Sequence, residues 1–157
     1  MSGADTLTRL DAFFNEWHEA LEARALVRFE IGHVPQDAFT PAAMADAFSA
    51  QFGFLPSGFI WELLDPSDDL TAPRSARGTM VEALTSDMLK PKQRWLGVEG
   101  ALNCANGFLG AFDSTALSVV SNHLTGLWVP ISGASDEWSF AAMDDDCIAL
   151  LVLAARG

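Results

Sequence analysis

Leu7, Leu10, Phe14, Trp17 and Leu21 recur at spacings of three and four. That period predicts an amphipathic helix, capped by Asp5 or Thr6 and running to about Ala25. Glu16, Glu19 and Glu22 fill much of its polar remainder. The stripe reads first as core packing. As an a/d seam it also offers a homodimer interface through Leu7, Leu10, Phe14, Trp17 and Leu21. Leu26 to Ile31 alternates as a strand does, and Gly32 and Pro35 end it. Thr40-Pro41 supplies an N-cap with proline at the first helical position. The helix it opens runs through Met44, Ala47, Phe48 and Phe52 to a stop at Gly53. Phe59 to Leu64 predicts a strand, with a short helix as the alternative, before the turn Asp65-Pro66-Ser67-Asp68. Thr79 to Leu89 predicts another helix, closed by Pro91.

The second half changes character. Asn106-Gly107 between two apolar runs predicts a hairpin. Asp113 or Ser114 predicts the cap of a short helix through Leu117, Val120 and Leu124, stopped by Gly126. Leu127 to Ile131 and Trp138 to Ala142 read as strands around the polar loop Ser132–Glu137. The run from Cys147 to Ala155 stays open. Leucine and alanine after Asp144-Asp145-Asp146 favour a helix on an acidic cap, whereas Ile148 and Val152 permit a strand. The pieces predict an α+β fold: a central antiparallel sheet with helices packed on it, the N-terminal half mainly helical and the C-terminal half mainly strands. The 157 residues fit a single globular domain, residues 1–157.

Composition narrows the function classes. Half the residues are hydrophobic and 19% are charged, which excludes intrinsic disorder. The longest apolar run is far shorter than the ~20 residues of a membrane span. MSGADTLTRL lacks the basic flank and apolar core of a secretion signal, so the expected compartment is the cytoplasm. Cys104 and Cys147 then read as reduced, buried thiols. The net charge of −12 repels phosphate backbones and argues against direct nucleic-acid binding. From Phe29 to Pro73 there is no lysine or arginine, while Arg74, Arg77, Lys90, Lys92 and Arg94 cluster just after. That polarity would steer a basic partner surface or self-association.

Candidate chemistry is sparse. Gly97, Gly100, Gly107 and Gly110 form neither a dinucleotide fingerprint nor a P-loop. His18, His33 and His123 are scattered, and Asp144 to Asp146 lacks the spacing of a calcium loop, so no metal or cofactor is predicted. Catalytic residues are not identified; a small Cys/His enzyme would have to work through Cys104 with His123 or His33. The enriched feature is aromatic. Trp17, Trp61, Trp95, Trp128 and Trp138 accompany eleven phenylalanines and no tyrosine, and four of the five tryptophans fall on predicted strands. Trp61, Trp95 and Trp128 are expected to line one sheet face as an apolar pocket, with Asn103, His123 or Arg94 as polar anchors. The plainer reading is an ordinary bulky core.

GFIWELLDPSDDL after a helix ending in QFG resembles the opening helix–strand–turn of a GAF-type sensor domain. GLWVPISGASDEWSFAAM and DDDCIALLVLAARG are similar to that family's ending, where a strand, a polar turn and a second strand lead into a closing helix. The same strand pattern is similar to the autoinducer-binding domains of quorum-sensing regulators, and the likeness as a whole is to GAF/PAS-like sensor domains. The likeness spans about half the chain and leaves 1–35 as a helix-strand extension before a sensor-like core over 36–157. It implies a sheet with a ligand cavity on one face and no catalysis, and it places no functional residue.

The leading expectation is therefore a non-enzymatic regulatory or sensory module binding a small apolar ligand or a protein partner. The alternatives are an acidic inhibitor, of immunity or anti-defence type, acting on a basic partner surface, and a small Cys/His enzyme.

Overall fold

The computed structural model describes residues 3–55, 61–124, 127, 128 and 130–156, with 124, 127 and 128 described by their backbone alone. In chain order the elements are α1 (Gly3–Glu22), β1 (Ala25–His33), α2 (Pro41–Ala50), β2 (Glu62–Leu64), α3 (Ala76–Thr85) and α4 (Gly97–Leu109). There follow β3 (Ser118–Ser121), β4 (His123–Leu124), β5 (Leu127–Trp128), β6 (Glu137–Met143) and β7 (Cys147–Ala155). Five strands form one antiparallel sheet in the order β1-β7-β6-β3-β2, and β4 pairs with β5 in a small ribbon. The fold is α+β, with helices mainly in the first part of the chain and strands mainly in the second.

The terminal apolar run resolves as a strand. Asp144 does not cap a helix; its Oδ1 accepts the N–H groups of Asp146 and Cys147 at 2.9 and 2.8 Å, which closes a tight β6–β7 hairpin. With β1 on one side and β6 on the other, β7 has both rows of backbone groups in ladders. Its side chains alternate between two cores. Cys147, Ala149, Leu151 and Leu153 join the larger one, and Ile148, Leu150 and Val152 join the smaller. A strand covered on both faces is apolar at every position, so its sequence loses the period of two and reads like a buried helix. The family resemblance expects a closing helix here; the chain forms β7.

On one face, α1, α3 and α4 cover the sheet around Leu10, Met80, Leu84, Phe108, Phe112 and Phe140. On the other, α2 lays Ala45 and Phe48 on the sheet with Phe54, Trp61 and Ile131. The Thr40-Pro41 start is observed, Thr40 Oγ1 accepting the Ala43 N–H at 3.2 Å, and Gly53 sits past the helix end with φ of 82°. The α1 stripe packs inward: Leu10 and Leu21 are fully buried, and Leu7, Phe14 and Trp17 pack partly buried on the same core. As a set those five residues make an internal face and not a free seam. Residues 3–35 are likewise integral, because β1 pairs with β7 along its whole length.

Three further expectations are corrected. Asn106-Gly107 lies inside α4. Gly107 is there for contact, since a Cβ would meet the Phe13 ring at 3.3 Å and Trp17 Nε1 at 3.6 Å. Asn106 Oδ1 accepts the Nε–H of buried Arg77 at 2.8 Å, which ties α3 to α4. The helix expected from Asp113 is a turn followed by β3. Asp113 Oδ1 takes the Thr115 N–H and hydroxyl at 3.0 and 2.8 Å, and Val119 and Val120 then enter opposite cores. Of the strand expected over Phe59 to Leu64, Glu62–Leu64 forms β2; Phe59 and Ile60 lie outside the described residues, as does Gly126. The helix expected over Thr79 to Leu89 spans Ala76–Thr85 and starts on Ser75, whose Oγ accepts the Gly78 N–H at 3.0 Å. Among the described residues no helix is long and apolar enough to cross a membrane.

Candidate functional site

The end of the sheet where β6 begins gathers the polar groups of the core. On β6, Ala141 and Met143 face the smaller core, so Glu137 and Ser139 point the same way, while Trp138 and Phe140 face the larger one. Glu137 and Ser139 are buried, as are Ser121 and Asn122. The Glu137 carboxylate is enclosed by donors. Oε2 accepts from Asn122 Nδ2 at 2.7 Å, from the Ser139 hydroxyl at 2.7 Å and from the Ile131 N–H at 2.9 Å. Oε1 accepts the Ser132 N–H at 2.8 Å. Asn122 completes the knot, its Oδ1 accepting the Ser139 N–H at 2.8 Å. A buried charge without partners would be untenable; four donors make this one a clamp that fixes the start of the 131–136 loop and the exit from β3.

That clamp positions His123 on the opposite side of β6. His123 Nε2 lies 3.1 Å from the Glu137 carbonyl oxygen. A carbonyl only accepts, so this nitrogen carries the proton and donates. The imidazole lies flat on the Trp138 indole, with centroids 3.3 Å apart and 10° between planes, and Trp138 stacks in turn over Phe140 at 5.9 Å. Burial holds the His123 pKa below the ordinary histidine value, outweighing the Glu137 carbonyl that favours the charged ring.

The ring pair walls a cleft of about 270 Å³ whose other side is the end of α3 and the following loop, with Glu82, Ser86, Asp87, Met88 and Pro91. Asp136 and the Glu137 backbone complete it. Burial opposes ionisation of Asp87, yet the N–H groups of Leu89 and Lys90, with Arg24, hold its carboxyl below the usual range. Glu82 is exposed and makes no ion pair or hydrogen bond among the described residues. Beside this cleft, sharing Asp87 and Met88, is a second hollow of about 180 Å³ lined by Arg24, Lys90 and Arg156. Arg24 is tied to Asp87 and Gln93, and Arg156 to the carbonyls of Ala25 and Glu22.

Of the pocket residues expected from the sequence whose side chains are described, only His123 lines the cleft. Trp61 belongs to the smaller core, its Nε1 donating to Asp46 at 2.6 Å. Trp95 packs against the larger core on the other face, its Nε1 donating to the Ala20 carbonyl at 2.9 Å. The two therefore do not share one sheet face. Asn103 is exposed on α4, away from the cleft, and Arg94 is exposed beside Gly97. The Trp128 side chain lies outside the described residues; its backbone pairs with His123. Cys104 is fully buried and its thiol is pushed up to about 12, chiefly by desolvation and then by Glu16, which disfavours the thiolate that a nucleophile requires. Trp138, Asn122 and Glu137 were not singled out. The available signal was Glu137-Trp138 at the start of an apolar strand, where an acid on a buried face must have donors to meet it.

Two outcomes follow from this geometry. Glu137→Gln turns an amide nitrogen toward groups that are all donors, and should lower stability by about 2–4 kcal/mol. Urea unfolding that left the midpoint unchanged would show that the clamp holds nothing. The folded state favours neutral His123, so its contribution to stability is full above about 6.5 and is lost as pH falls and the unfolded chain takes up the proton first. Melting temperatures measured from about pH 7 to 5 should drop less steeply for His123→Gln than for the wild type. Since His18 and His33 are common to both proteins, parallel curves would remove His123 as the cause.

In the comparisons with known proteins, no family model, no curated protein and no solved structure matches the chain.

Proposed function

We propose that the protein is a non-enzymatic regulatory or sensory binding module, and that it takes a small ligand with a flat apolar body and a cationic end in the His123–Trp138 cleft. The observation that carries this reading is the stacked ring pair facing carboxylates across a cleft of about 270 Å³. The stacked rings give a flat apolar wall for the body of the ligand, and Glu82 and Asp136 in the lining add charge of the right sign for its cationic end. Neutral His123 neither repels such a ligand nor needs to change protonation to admit it. The walls favour an amphiphile over the wholly apolar ligand that composition suggests. A matched pair of ligands tests this: tryptamine and indole-3-acetate present the same ring with opposite charge. Calorimetry should detect the amine and not the acid, and Trp138→Ala should weaken the amine at least about tenfold. Equal binding of the two, or binding indifferent to Trp138→Ala, would end this reading.

The acidic-inhibitor reading is favoured by a different place. Beside the three-residue edge strand β2, Leu63 is 57% and Leu70 47% exposed, next to exposed Asp68 and Asp69. Exposed apolar side chains with acidic neighbours in sequence suit a basic protein surface. A protein captured from the host lysate through this patch should release as salt rises and should be lost from Asp68→Asn/Leu70→Ser; capture unchanged by either would exclude it.

A further inference from the structure

Beyond the cleft, the sheet presents an edge that is complementary to itself. β1 is nine residues long and among the described residues pairs only with β7, in an unbroken register from Ala25↔Ala155 to His33↔Cys147. It otherwise packs against α1 on one face, while on the other Gly32 lies against the Phe48 ring and Arg28 lies over the Phe54 ring and donates to the Phe52 carbonyl. Long edge strands are ordinarily blunted by proline, lysine, bulges or shortness. β2, at the other edge, is three residues long. β1 has none of these protections; its only charges are Arg28 and Glu30.

The register fixes which backbone groups are available. The Val34 N–H donates to the Asp146 carbonyl at 3.0 Å, one step beyond His33↔Cys147 in the same ladder. Even-numbered residues of β1 therefore direct their N–H and C=O toward β7, and odd-numbered ones direct theirs outward. At the start of the strand, the Ala25 carbonyl already accepts from Arg156 Nε. Val27, Phe29 and Ile31 remain as the outward row.

We propose that β1 is a homodimer interface, pairing antiparallel with β1 of a second copy about a two-fold axis at Phe29, so that two five-stranded sheets become one. This register sets Phe29 opposite Phe29 and Val27 opposite Ile31, and these odd-numbered residues are the ones whose backbone groups face outward. The even positions fall into the closer, non-hydrogen-bonded pairs. Arg28 of each copy then stands opposite Glu30 of the other, and exposed Leu26 stands opposite Gly32, beside the Phe48 ring that covers that glycine. Within one chain Arg28 and Glu30 are 3.2 Å apart, so the two copies would form a four-charge cluster across the axis. Phe14, half-buried and stacked on Phe29 at 4.8 Å, lies beside the axis and continues the interface onto α1. Part of the α1 stripe thus belongs to the same contact, as a flank to the strand and not as a helical seam.

Sedimentation velocity of the full chain over a range of concentrations should show a monomer–dimer equilibrium. Arg28→Glu alone and Glu30→Arg alone place like charges opposite one another, and each should weaken self-association at least about tenfold. Mixing those two variants should give a heterodimer, and the double swap Arg28→Glu/Glu30→Arg should restore the homodimer. Val27→Pro removes an outward N–H without touching the β7 ladder; it should be monomeric with an unchanged circular dichroism spectrum. The proposal is overturned by a wild-type monomer at every concentration up to the solubility limit, by a dimer indifferent to these substitutions, or by single variants that fail to pair on mixing.

Discussion

The structure depends on β7 being covered on both sides. Nine residues from Cys147 to Ala155 have a ladder partner on each edge and a hydrophobic core on each face. Each large aliphatic side chain so buried is worth about 1.5–3 kcal/mol, but only because no backbone group of the strand is left without a partner. That condition dictates the neighbours. The β6 hairpin must be tight, which Asp144 provides, and the other edge must be filled from a distant part of the chain, which β1 provides. The helices then divide according to what each face offers. The larger core takes three, packed closely enough that α4 needs a glycine against the Phe13 ring. The smaller takes the ten-residue α2 and the aromatic residues Phe54 and Trp61.

Elements with their own local signals were legible. The α1 period, the Thr40-Pro41 start, the alternation of β1 and the run of β6 each carry information within a few residues. Where the structure departs from the local signal, the reason differs from place to place. Asn106-Gly107 has turn chemistry, but in α4 the asparagine meets the Arg77 guanidinium and the glycine meets an aromatic ring. Asp113 closes a turn with Thr115 as readily as it would cap a helix. In β7 the periodicity was absent because both faces are buried, and nothing short of the strand order could have revealed that.

The site was less legible than the fold. Tryptophans are amphipathic, and a sequence does not say what each indole N–H will meet. Trp61 and Trp95 found Asp46 and the Ala20 carbonyl on opposite faces, which makes them structural. His123 was visible as a polar residue near strands, yet its importance comes from Trp138 beneath it and from the Glu137 clamp that sets the backbone of both. Those partners come from β6 and the 131–136 loop, and only the closed sheet brings them to His123.

Charge links the cleft to the β1 edge. Four of the arginines are already committed within the chain, Arg24 to Asp87, Arg28 to Glu30, Arg74 to Glu62 and Arg77 to Asp68. The net charge of −12 is therefore carried by acids in excess of these pairs. Such a surface draws cations toward the cleft from a distance. It also opposes the approach of a second copy, which carries the same charge. Any self-association must then come from contacts short enough to escape that field: ladder hydrogen bonds, the Phe29 and Phe14 rings, and Arg28 against Glu30. Salt screens the long-range repulsion over a Debye length of about 8–10 Å, while it weakens a close pair on a desolvated edge much less. A second copy approaching this edge, which lacks proline, lysine and bulge, would therefore be opposed at long range chiefly by net charge.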